Sequence, residues 1–119
     1  MGEYTRFTKV EADEFKGNVN GSMTGGVIGK TTLSKADDYT LTAAEANAAV
    51  IGITMTAASK SAVLGLKDGQ VAIVINEGAT NAFTAKNLSG DTGTSIAAGK
   101  VALVIGSTTA NGTAAYILN

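Results

Sequence analysis

The chain has 119 residues, 45% of them hydrophobic but only six aromatic, and a net charge of -1 from nine basic and ten acidic side chains. That length fits one compact domain with an appendage, and so small a charge gives no field that would draw in nucleic acid or an anionic membrane. His and Cys are both absent, which excludes imidazole acid–base catalysis, the serine triad, imidazole and thiolate metal sites, and disulfides.

Residues 1–16 carry seven charges and no apolar run, so no secretory signal is expected and synthesis in the cytoplasm is. The longest apolar stretches elsewhere span a handful of residues, where a bilayer needs about 20. Tyr4, Phe7 and Phe15 lie in this charged start. They read either as aromatic anchors that dock on a partner or as a local cluster at a frayed end.

A glycine repeat follows. Gly17, Gly21, Gly25 and Gly29 each open a four-residue unit. Four is a multiple of the strand period, so in extended chain Gly17, Val19, Gly21, Met23, Gly25, Val27 and Gly29 share one face. Glycine weakens an isolated strand by about 0.5 to 1 kcal/mol, so an outside contact must order this segment. Several chains side by side about a common axis would do so, giving an intertwined stalk. The other reading is a flexible linker. The stretch Gly25 to Thr32 also approaches a phosphate-binding loop, but Thr24 stands where the first Gly is needed. No apolar strand precedes it, and Asn76 stands where a metal-binding Asp would be wanted.

The body begins near residue 38. Thr42 and Glu45 have capping-box spacing ahead of a short Ala-rich helix. Strand-like runs then recur every ten residues or so, at 50–54, 61–64, 70–76, 82–86, 100–105 and 114–118. Turn signals at Asp68-Gly69, Glu77-Gly78, Ser89-Gly90 and Asn111-Gly112 separate them, each placing Gly where positive φ is needed, and the spacing predicts an antiparallel sandwich or barrel. The runs 71–75 and 101–105 are apolar on both faces. Bulky Val71, Ile73 and Ile75, with Val101, Leu103 and Ile105, suit the interior. Ala72, Val74, Ala102 and Val104 would then face outward, covered by a neighbouring subunit or by a second sheet of the same chain.

Carboxylates are the remaining acid–base candidates. Asp13 and Glu14 are adjacent, as are Asp37 and Asp38, and adjacent residues in extended chain point to opposite sides, so neither pair makes a glycosidase dyad. No catalytic residue, metal ligand or cofactor is expected.

The segments Thr40 to Asn47, Val74 to Asn76, Phe83 to Lys86, Ile96 to Lys100 and Asn111 to Thr113 resemble the C-terminal modules of tailed-phage head fibre and capsid decoration proteins, and the glycine repeat is similar to phage fibre stalks. The resemblance implies an all-β homotrimer on the virion surface. An N-terminal segment at 1–16 would attach to the major capsid protein through Tyr4, Phe7, Val10 and Phe15. An extended stalk at 17–37 would follow, and an antiparallel β-barrel or jelly-roll head at 38–119. The expected interface between copies comprises Gly17, Val19, Gly21, Met23, Gly25 and Val27 in the stalk and Ala72, Val74, Ala102 and Val104 in the head. The alternative is a receptor- or carbohydrate-binding fibre tip with a host-surface glycan as partner. Sugar sites display exposed aromatics, and only Tyr39, Phe83 and Tyr116 lie in the body.

Overall fold

The computed structural model describes residues 29–118. They form nine strands and one short helix: β1 (Lys30–Lys35), β2 (Tyr39–Thr40), α1 (Ala43–Ala46), β3 (Val50–Met55), β4 (Lys60–Val63), β5 (Val71–Asn76), β6 (Phe83–Lys86), β7 (Thr94–Ile96), β8 (Val101–Ile105) and β9 (Ala114–Ile117). The fold is all-β. Each of the six apolar runs becomes a strand, and the capping box forms: Glu45 N–H donates to Thr42 Oγ1 at 3.2 Å and Thr42 N–H to Glu45 Oε1 at 2.8 Å.

Two open sheets stack around one core. A five-stranded sheet has the order β1-β3-β5-β8-β9 and a four-stranded sheet the order β2-β4-β6-β7. From β1 to β6 the chain changes sheet at every strand. It lays down β1, β3 and β5 parallel in one layer and β2, β4 and β6 parallel in the other. Antiparallel pairing enters only with the last three strands, β7 along β6, β8 along β5 and β9 along β8.

This corrects the antiparallel expectation, and neither sheet closes into a barrel. The cause lies in the connections. Asp68-Gly69 and Glu77-Gly78 sit on crossings between layers, whereas Ser89-Gly90 and Asn111-Gly112 sit in links between antiparallel neighbours. Of the four glycines in those signals only Gly69 has positive φ, at 78°; at the last, Asn111 takes the left-handed conformation instead, with φ 56°. β1 is a further difference: the five-stranded sheet reaches back to Lys30, into the segment 17–37 that the glycine spacing assigns to a stalk.

The core draws on both layers. Leu33, Ile51, Ile53 and Met55 come from β1 and β3, and Ala62, Phe83, Ala85 and Ile96 from the facing sheet. Ala72, Val74, Ala102 and Val104 belong to it too, each no more than 1% exposed. The inward and outward sides of β5 and β8 are therefore the reverse of those expected from side-chain size. Residues buried this completely within one chain cannot form the contact between copies, so these four are not interface residues. Alanines suit the interior because close packing must leave volume for large side chains such as Phe83 and Met55.

Candidate assembly surface

Period-two alternation fixes what the outer face of the five-stranded sheet presents once its inner residues are known. Val50, Ile73, Leu103 and Tyr116 stand opposite one another in a row across β3, β5, β8 and β9. Gly52, Ile75 and Val101 form the next row, continued by Leu118, whose N–H donates to Val101 O at 2.7 Å. Val71, Ile105 and Ala114 form a third. Within β5, β8 and β9 the only hydrogen-bonding side-chain group on these rows is the Tyr116 hydroxyl; at the β3 end the Glu77 carboxylate lies over Gly52. The most exposed of these side chains are Tyr116 and Leu118, both at 58%, and Val71 on β5, at 53%.

Toward β1 the face turns polar. Lys30, Thr32 and Ser34 occupy the outward positions of that strand. The Lys30 Nζ donates to Glu77 Oε2 at 2.7 Å, and the Glu77 carboxylate lies over Gly52, in the space a Cβ would fill. An ion pair thus closes one border of the apolar field. Lys30, the lysine of the phosphate-loop-like stretch, is a strand residue engaged by this carboxylate.

The opposite surface of the molecule has another character. On the outer side of the four-stranded sheet Ser61, Thr84 and Ser95 form a row of hydroxyls, and Val63 stands beside Lys86. The two outer faces of one sandwich are chemically unlike, one apolar and one polar.

The polar groups inside serve the fold. Asn76 is fully buried; its Nδ2 donates to Asn81 O at 2.9 Å and Ile96 O at 2.8 Å, and its Oδ1 accepts from Gly78 N–H at 2.9 Å. Asp91 accepts from Asn111 N–H at 2.8 Å and Leu88 N–H at 3.0 Å, while Asn111 Oδ1 accepts from Thr92 N–H at 2.7 Å. These bonds latch the β6–β7 link to the β8–β9 link. The backbone N–H of Asn111, and after it that of Leu88, holds the Asp91 carboxyl below the usual carboxylate range. A cavity of about 240 Å³ lies beside the latch, lined in part by Lys86, Asn87, Asp91 and Asn111, but the buried amides and carboxylate already bond backbone groups. Asn87 and Asp91 gave no signal in the sequence, since a buried Asn or Asp in a loop looks like any turn residue.

Of the carboxylates weighed as acid–base pairs, Asp38 accepts from Ser61 N–H at 2.8 Å and Asp37 faces Lys60 at 3.6 Å. Tyr39 and Glu45 pair through a 2.8 Å hydrogen bond, which raises the phenol pKa, while the Thr42 N–H and then that phenol lower the carboxyl. Among the described residues no group of three or more His, Cys, Asp or Glu side chains could hold a metal ion. Phe83 is buried and Tyr39 packs on the core beneath Lys35, which leaves Tyr116 as the exposed aromatic of the body. Its row neighbour Leu103 offers no hydrogen bonds to a sugar. The expected attachment residues Tyr4, Phe7, Val10 and Phe15 and the stalk residues Gly17 to Val27 lie outside the described residues. No family model, curated protein or solved structure matches the chain.

Proposed function

We propose that this chain is a structural protein of a tailed-phage virion, a non-enzymatic homotrimeric head fibre or decoration protein displayed on the capsid surface. Residues 1–16 attach it to the major capsid protein, the glycine repeat ahead of β1 brings three chains together as a stalk, and the β sandwich projects as the head. The observation that carries this reading is the sidedness of the sandwich. A module that works alone has no use for an apolar outer sheet face, whereas an assembled one hides that face and presents hydroxyls to solvent. The resemblance of the body and the glycine repeat to phage head fibres supplies the setting.

Two measurements test it. Sedimentation at micromolar concentration should give three times the single-chain mass of 11.9 kDa. Purified capsids lacking the protein should bind the full chain in co-sedimentation and fail to bind one without residues 1–16. A single-copy species, or undiminished binding by the shortened chain, would overturn the corresponding half of the proposal.

A further inference from the structure

We infer that the outer face of the five-stranded sheet, centred on β5, β8 and β9, is the surface by which copies of this chain hold one another, its occupant being the same face of a second copy. The inference rests on the proposed self-association and assigns it to a surface that the sequence assigned to the interior.

Three observations select the occupant. The first is exposure. Val71, Ile105, Tyr116 and Leu118, between 37% and 58% exposed, lie on it together with the half-buried Ile73, Ile75, Val101 and Leu103, and a contiguous exposed apolar patch of this kind marks a protein–protein contact more often than a free surface. The second is charge. From β5 to β9 the face carries none, so a second copy meets no repulsion, while a charged partner would find nothing to pair with. The third is the border. The Lys30–Glu77 pair and the outward Thr32 and Ser34 give the polar rim that surrounds an apolar centre in stable interfaces. Parallel strands such as β3 and β5 are ordinarily covered on both faces, and no element among the described residues covers this one. In a trimer each face meets those of both neighbours about the axis.

The chain contains no Cys, so a single introduced Cys reports proximity cleanly. The full chain carrying Val71→Cys or Tyr116→Cys is treated at micromolar concentration with a short bis-maleimide, beside Ser95→Cys on the polar face as control. Val71→Cys and Tyr116→Cys should cross-link into covalent dimers and Ser95→Cys should not. In sedimentation, Leu103→Lys should weaken association at least tenfold with the circular dichroism of the wild type. Should Leu103→Lys not fold, Val71→Lys and Tyr116→Lys, at positions more than half exposed, carry the same test and should weaken association at least tenfold. A wild type that sediments as one copy sinks self-association and this surface together. A wild type that stays assembled while all three lysine variants keep its mass, or in which Ser95→Cys alone cross-links, leaves self-association standing and overturns the face.

Discussion

Asn87 pairs with Leu66 as one strand pairs with another: its Oδ1 accepts from Leu66 N–H at 2.6 Å and its Nδ2 donates to Leu66 O at 3.1 Å. The same Nδ2 donates to Ser107 O at 2.7 Å, joining three chain segments at a residue 1% exposed. Asn87→Ala strands these backbone groups in the interior, where each buried unpaired group costs about 1 to 3 kcal/mol. The urea midpoint should fall by the equivalent of about 3 kcal/mol with little change in slope.

Acid should loosen the latch at Asp91. Its folded-state pKa is held down by the backbone N–H groups of Asn111 and Leu88, so its stabilising contribution is complete above the unfolded value of about 3.9 and is lost as pH falls through the lower folded value. Urea midpoints across a pH series should drop below about pH 4 for the wild type. Asp91→Asn should start lower at neutral pH and lose less on acidification.

Two glycines without positive φ should respond differently to Ala. A Cβ at Gly106 would sit 2.6 Å from Leu66 Cβ and 2.7 Å from Lys67 O; backbone cannot step aside, so Gly106→Ala should cost about 1 to 3 kcal/mol. At Gly52 the obstacle is the Glu77 carboxylate, the end of a flexible side chain. Gly52→Ala loses an exposed ion pair worth at most about 1 kcal/mol and gains roughly 0.5 to 1 kcal/mol from the stiffer strand, leaving stability nearly unchanged. Denaturant titration of both variants checks the contrast.

The orientation of β5 makes a paired prediction. Val74→Ala opens a hole in the core and should cost about 2 kcal/mol, whereas Val71→Ala, three residues away on a half-exposed position, should stay within about 0.5 kcal/mol in dilute, dissociated protein. Equal losses would mean that the faces are not as described.

Strand positions were legible because β-branched runs between glycine-bearing turns are local signals. Pairing was not: Val50 lies opposite Ile73 through a connection that visits the other layer, and nothing in either run names its partner. β1 was missed because Lys30 to Lys35 buries only Leu33 fully and reads as polar linker. That β5 and β8 are apolar on both sides was legible from their composition. Which side faced inward was not, because alternation separates apolar from polar and gives no answer when both sets are apolar.

The alternation of the chain between layers also governs how fast it can fold. Every parallel rung joins residues about twenty positions apart, as Lys30 with Val50 or Lys60 with Phe83, so a loop must close before the first sheet hydrogen bond rewards it. Topologies dominated by such distant pairings fold in milliseconds to seconds rather than microseconds. During that interval β5 and β8 are exposed on both apolar sides, which makes the partly folded chain prone to aggregate at high concentration.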